Sequence, residues 1–240
     1  MNVELYNKDC MSVMEGIPDH SIDLIVTDPP YLITSRGNAG TTGGMLTKQA
    51  SMKGRIFSHN DINCSIYLPE FYRLLKEDSH CYIMCNHINL IDMLNEATKV
   101  GFHFIKSLVW DKGNKIMGRA YMSQFEYILF FRKEKFKIVN NCSVSDIIHI
   151  PNKKSKGADG KNLHDTEKPV ELMEILVSQS SNGGDIVLDP FMGIGSTGIA
   201  CIRQNRDFMG CEIDTHYFNI AKNRIKDSAE YLGIDLKGLK

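Results

Sequence analysis

The stretch Ile186-Val187-Leu188-Asp189-Pro190-Phe191-Met192-Gly193-Ile194-Gly195-Ser196-Thr197-Gly198 reads as a strand, a glycine turn and the start of a helix. A short apolar run ends at Asp189. The glycines permit a tight turn and close approach of a ligand to the backbone, and a helix is expected over residues 197–203. Gly193-x-Gly195-x-x-Gly198 has the spacing of a nucleotide-binding turn. Alone, that spacing also fits a structural turn. Residues 208–211 read as the next strand, and Glu212 at its end is placed to accept hydrogen bonds from ribose hydroxyls. Strand, turn, helix and acid together favour a nucleoside-containing cofactor.

Outward from this unit, residues 3–6 and 22–26 read as short strands around a helical turn starting near Asp9. Residues 66–76 and 90–100 read as helices, the second stopped by Gly101. Residues 81–85 have the character of a buried strand, and residues 102–110 and 125–131 are two more strands. Pro169 opens a helix with apolar positions at Val170, Met173, Leu176 and Val177, and residues 217–225 form another. Strands alternating with helices predict a parallel α/β sheet covered on both faces. The expected organisation is one domain over residues 1–240. It carries a Gly/Ser/Thr-rich loop over about 34–60 and a basic segment over about 112–161.

Composition narrows the class. Of 240 residues, 42% are hydrophobic and 24% charged, the profile of a soluble globular protein. No apolar run reaches the roughly 18 residues of a membrane span, and Met1-Asn2-Val3-Glu4-Leu5 lacks an export pattern, so a cytoplasmic protein is expected. The seven cysteines lack a Cys-x-x-Cys pair and read as buried free thiols, with no metal site. The net charge of −1 hides an asymmetry, because residues 112–161 hold 11 Lys and Arg against 4 Asp and Glu. A positive block between two acidic ones fits either a solvated surface or a polyanion contact.

The run Ile22-Asp23-Leu24-Ile25-Val26 leads into Thr27-Asp28-Pro29-Pro30-Tyr31. Two prolines fix φ and supply no donors, so the chain leaves the sheet rigidly at the strand's carboxyl end, where ligand sites of open α/β sheets lie. The Asp28 carboxylate and the proline carbonyls are acceptors, and Tyr31 offers an aromatic face. That set suits a planar ring bearing an NH2 group.

Asp28-Pro29-Pro30-Tyr31 and the Asp189-Pro190-Phe191-x-Gly193-x-Gly195 turn together resemble the amino-methyltransferases that act on adenine N6 or cytosine N4 in DNA. The catalytic motif precedes the glycine motif, with the basic segment between them, as in the permuted β group of that family. His164-x-Thr166-x-Lys168-Pro169 and Asp9-Cys10 resemble further family elements. Ile194 stands where Ser is common, and Leu32 where Asn is frequent. The resemblance implies a Rossmann-like, mostly parallel, doubly wound fold with permuted motif order, S-adenosylmethionine as cofactor and DNA as partner. It also implies a possible homodimer and a restriction endonuclease on a separate chain.

By the same resemblance, Asp28, Pro29, Pro30 and Tyr31 are the catalytic group. Asp9 and Cys10 lie by the cofactor's adenine, and Glu212 by its ribose. Asp189, Phe191, Gly193 and Gly195 surround its methionine end, with Lys168 near its carboxylate, and Asp28, Thr166 and Ser196 also count among the cofactor-binding residues. Phe191 also reads as core, and Lys168 as a surface lysine at a helix start. DNA contacts are expected from Arg36, Lys53 and Arg55, and from Lys112, Lys115, Arg119, Lys153, Lys154 and Lys156 of the basic segment. Most of these would meet phosphate, with Arg36 and Arg119 the preferred base readers. Asp at the first motif position usually accompanies adenine N6, and Ser cytosine N4. An RNA or protein-amide methyltransferase, a nicotinamide oxidoreductase and a non-catalytic DNA-binding module are the competing classes.

Overall fold

The computed structural model describes residues 1–30, 62–116, 121–157, 160–164 and 166–239. Tyr31, Arg36, Lys53, Arg55 and Arg119, and the whole of the expected loop over 34–60, lie outside the described residues.

The described elements run β1 (Val3–Tyr6), α1 (Cys10–Met14), β2 (Ile22–Thr27), α2 (Cys64–Leu74), β3 (Leu75–Cys85), α3 (Leu90–Val100), β4 (His103–Ile116), β5 (Ser123–Arg132), β6 (Ile147–His149), α4 (Val170–Ser180), β7 (Ile186–Asp189), α5 (Ser196–Arg203), β8 (Asp207–Cys211) and α6 (Thr215–Leu232). One sheet contains all eight strands in the order β1-β8-β7-β2-β3-β5-β4-β6. Pairing is parallel except on both sides of β5, so β5 alone runs against the rest. The expected parallel sheet is therefore mixed at this one strand.

Period-two alternation distributes the side chains between two cores. Leu24, Val26, Tyr82, Met84, Ile128 and Phe130 face α4, α5 and α6. Ile25, Cys81, Ile83, Cys85, Leu129 and Phe131 face α1, α2 and α3. The continuous apolar run at residues 81–85 follows from burial on both sides.

Four differences from the sequence expectation have local causes. β3 begins at Leu75, six residues early, because its first part meets β2 through an irregular register around the polar Glu77 and Asp78. β4 continues to Ile116, its last stretch pairing with the start of β5 across another irregularity. β6 is only three residues long, too short to show periodicity, and is held by pairing with Val109, Trp110 and Asp111. Helix α6 runs on to Leu232, with Ala229 buried on its inner face and Gly233 at φ 66° closing it in a left-handed turn.

Strand order decides where a ligand can enter. From β2 the chain proceeds by α2 to β3 on one side; from β7 it proceeds by α5 to β8 on the other. The neighbouring pair β2 and β7 is thus the point where connections diverge to opposite faces, and a crevice opens beyond their carboxyl ends. Asp28 and Asp189 sit at those two ends.

Candidate active site

The two halves of the crevice are tied by one buried carboxylate. Asp189 accepts from Thr27 Oγ1 at 2.7 Å, from Thr197 Oγ1 at 2.7 Å and from the Phe191 amide at 3.1 Å. Burial pushes the Asp189 carboxyl up to about 6 against these three donors. Its role is to lock the strand end of β2, the turn and the first residues of α5 in one geometry.

The glycines of that turn divide the work. Gly193 and Gly195 adopt φ of 52° and 81°, the left-handed region where a side chain is strained. Gly198 is needed for a different reason: a Cβ there would lie 2.5 Å from Ile225 of α6 and 2.8 Å from Phe208 of β8. The third glycine therefore brings α5 down onto sheet and helix, as the spacing of such turns implies.

Next to the turn lies a cleft of about 150 Å³ bounded by Asp9, Cys10, Pro30, Phe191, Glu212 and Ile213. Asp9 caps α1 by accepting from the Ser12 amide at 3.0 Å. Burial raises the Cys10 thiol to about 12, so it serves as an apolar wall. Phe191 packs edge-on against Tyr67, ring centroids 5.4 Å apart, and is at once core and cleft lining. Glu212 gives one oxygen to the Asp214 amide at 2.8 Å, and burial raises its carboxyl to about 7. A half-buried carboxylate at one end of an apolar slot, with a glycine turn beside it, fits a nucleoside: hydroxyls toward Glu212, a flat ring between apolar walls. The residues present therefore fit S-adenosylmethionine.

Beyond Pro30 stands a second group, assembled from four segments. Lys168 is buried, and its ammonium donates to Asp28 Oδ2. It also lies 3.5 Å from Glu126 Oε2, while Glu126 Oε1 accepts from Lys112 Nζ at 2.5 Å. Asp28 Oδ1 is buried and has no hydrogen-bond partner among the described residues. Burial raises the Asp28 carboxyl against the pull of Lys168. Glu126 behaves oppositely: burial would raise it, but Lys168 and Lys112 outweigh burial and hold it down at about 2.

Several expected residues thus change partner. Lys168 faces Asp28. Lys112 is buried, shared between Glu126 and the face of Trp110 at 5.0 Å, which removes it from the phosphate-binding surface. Lys154 also turns inward: it donates to the Glu167 carbonyl at 2.6 Å, and burial brings its ammonium down to about 8. Lys115, Lys153 and Lys156 are exposed. Thr166 closes a turn with His164, its amide 3.2 Å from Nδ1, and burial lowers His164 to about 4 beside the ring of Tyr217. Ser196 is buried in the first turn of α5.

Sequence reading missed four contributors. Glu126 and Thr27 carried no motif. Glu167 is buried and accepts from Ser155 and from Arg224 at 2.7 Å, and Arg224 also donates to the Ile194 carbonyl at 2.7 Å. The basic segment, the residue before Lys168 and the glycine turn are thereby joined through one guanidinium.

Comparison with known proteins agrees with this geometry. The N6/N4 DNA methylase family model matches residues 22–223. The type II methyltransferase M.HpaI of Haemophilus parainfluenzae is 31% identical over 98% of this chain and 77% of its own length. M.HinfI of Haemophilus influenzae is 26% identical over 95% and 71%. Among solved structures, the M1.HpyAVI complex with S-adenosylmethionine superposes with a TM-score of 0.69 at 24% identity, covering 92% of this chain and 99% of that one. The cytosine-N4-specific PvuII DNA methyltransferase reaches 0.71 at 16% identity, covering 98% and 94%. With a family match running from the strand before Asp28 to the helix beyond Glu212, the chain belongs to the N6/N4 DNA methylase family and is an S-adenosylmethionine-dependent DNA methyltransferase.

Proposed function

We propose that the chain methylates the N6 amine of adenine within a specific DNA sequence. The observation that carries this reading is the state of Asp28: one oxygen is held by Lys168, and the other is buried without a partner among the described residues, two positions before Pro30 of the cleft wall. A buried acceptor left open is costly unless a ligand supplies its donor.

The target amine is paired inside a duplex, so the base must swing out, at a cost of a few kcal/mol, roughly. Asp28 Oδ1 and the Pro29 carbonyl then accept its two N–H bonds. That grip favours a pyramidal nitrogen and turns its lone pair toward the cleft. Tyr31 stacks on the base. S-adenosylmethionine, when bound, supplies an electrophilic methyl group. Asp9 and Glu212 hold its adenosine, while Asp189 and the glycine turn fix its methionine end. The chain's contribution is orientation and a preorganised field.

Asp at position 28 supports adenine over cytosine N4. The fold is neutral on this point, being shared with a cytosine-N4 enzyme. Lys115, Lys153 and Lys156, with Arg36, Lys53, Arg55 and Arg119, make the DNA footprint in this reading. One domain carries catalysis and recognition, and a homodimer and a companion endonuclease on another chain complete the picture. Labelled methyl transfer to DNA, RNA and protein in parallel, followed by nucleoside analysis of the digested DNA, tests the reading. N6-methyladenine is expected. N4-methylcytosine would reassign the base, and transfer only to RNA or protein would overturn the proposal.

A further inference from the structure

β5 is the one reversed strand, so its first residues lie where the other strands end. That brings Glu126, four residues into β5, to the carboxyl edge of the sheet beside Asp28. Glu126 pairs in register with Trp110 of β4, so Trp110, Glu126 and Lys112, two residues beyond Trp110, lie on the same face of the sheet. Lys168 comes from the segment just before α4, which packs on that face. Two carboxylates and two ammonium groups alternate there: Asp28, Lys168, Glu126, Lys112. All four side chains are largely buried, at 22%, 8%, 20% and 10% exposure.

Lys168 Nζ donates to Asp28 Oδ2 and lies 3.5 Å from the Thr166 carbonyl and 3.5 Å from Glu126 Oε2. Glu126 Oε2 thus attracts Lys168 as an ion pair without hydrogen-bonding it, and Lys112 holds the other oxygen of Glu126 in turn. We propose that Glu126 is a positioning residue for the reaction: tethered by Lys112, it fixes Lys168 on Asp28 Oδ2 so that Oδ1 alone faces the target amine. The inference rests on the reading of Asp28 given above.

The charges facing Asp28 from each packed element are known. Lys168, Glu126 and Lys112 act directly on it, and Lys154 acts on Lys168 and Glu126. Asp189 of β7, Cys85 of β3 and Tyr67 of α2 lie close enough to feel its charge. Lys168 stabilises the Asp28 carboxylate, and Glu126 opposes it.

The test is methyl transfer across pH by the wild-type protein, Glu126→Gln and Lys168→Gln, with folding checked by thermal melting. In Glu126→Gln, kcat falls on the order of 10- to 100-fold through lost alignment, with KM for S-adenosylmethionine little changed. The acid limb, which reports ionisation of Asp28, moves to lower pH in that variant and to higher pH in Lys168→Gln. The limb shifts report the charges beside Asp28, whereas a fall in kcat on the plateau above the limb is what a carboxylate acting by charge alone would not give; wild-type plateau kcat beside a shifted limb therefore overturns the positioning role. Glu126→Asp keeps the charge and withdraws it, so it lowers kcat and leaves the limb in place; it serves if Glu126→Gln does not fold. Wild-type kcat with an unmoved limb in folded variants overturns the proposal. Asp28→Ala separates the two layers: if it is inert while Glu126→Gln is normal, only the positioning role fails. If Asp28→Ala turns over, the reading of the site fails.

Discussion

Thr27 and Asp189 meet across 2.7 Å although 162 residues separate them in sequence, the hydroxyl donating to Asp189 Oδ1. This bond joins the last residue of β2 to the last residue of β7, and with them the Asp28-Pro29-Pro30 segment to the glycine turn. Thr27→Val removes the donor and leaves a buried acceptor short of a partner. A loss of about 1–3 kcal/mol is expected, read by chemical denaturation. Methyl transfer should fall more than this modest loss of stability explains, because the two halves lose register.

Asp28→Ala is expected to abolish turnover while leaving affinity for S-adenosylmethionine nearly intact, since the cleft around Asp9, Phe191 and Glu212 does not depend on that carboxylate. Calorimetric titration alongside a methyl-transfer assay checks both halves. Near-normal transfer would remove Asp28 from the mechanism.

Glu212 sets a pH dependence. Its carboxyl stands at about 7 in the free protein, above its ordinary value, so the fold favours the protonated form. Its contribution to stability is complete below the ordinary carboxylate range and is lost as pH rises through about 7. Measured as wild type minus Glu212→Gln, the difference in melting temperature should decline from pH 5 to pH 8. Ribose hydroxyls favour the ionised form, so cofactor binding near pH 7 should release a proton. Titration in two buffers of unlike ionisation heat detects it, and Glu212→Gln should abolish it.

Gly198→Ala places a methyl group 2.5 Å from Ile225 and 2.8 Å from Phe208. Overpacking of this kind costs about 1–3 kcal/mol, visible as a lower denaturation midpoint. Cofactor affinity should drop with it, because α5 must lift from the sheet.

DNA binding should weaken with salt. Replacing exposed Lys115, Lys153 and Lys156 together should reduce the slope of log K against log salt by up to about 0.9 for each phosphate no longer neutralised. Lys112→Ala should leave that slope unchanged, because its ammonium is buried on Glu126. An equal fall in slope for both variants would place Lys112 in the footprint after all.

The two chemical motifs and the elements around them were legible because each is local. The end of β7, the glycine turn and Glu212 lie within 27 residues of one another, and the prolines after Asp28 stop a strand wherever they occur. Lys168 was legible as a residue but not as a partner of Asp28, since 140 positions separate them. Glu126 was invisible for a deeper reason. Within an alternating strand it looks like any outward polar residue, and only the reversal of β5 brings it to the catalytic edge. The same holds for Lys112, counted among surface charges because charge counting cannot see burial. Arg224 and Glu167 meet only when α6 packs back across the turn.

The close seating of α5 has a mechanical consequence. At Gly198, Ile225 and Phe208 already occupy the space a side chain would need, and at Gly210 the sulfur of Met192 and the ring of Phe208 do the same. The atoms in the way are side-chain ends, Ile225 Cδ1, Met192 Sδ and the edge of the Phe208 ring, packed directly against the two backbones. The floor beneath the turn is in that sense close-set: any added atom has to be met by shifts of those side chains, and the Phe208 ring, which crowds both glycines, has the least freedom to give.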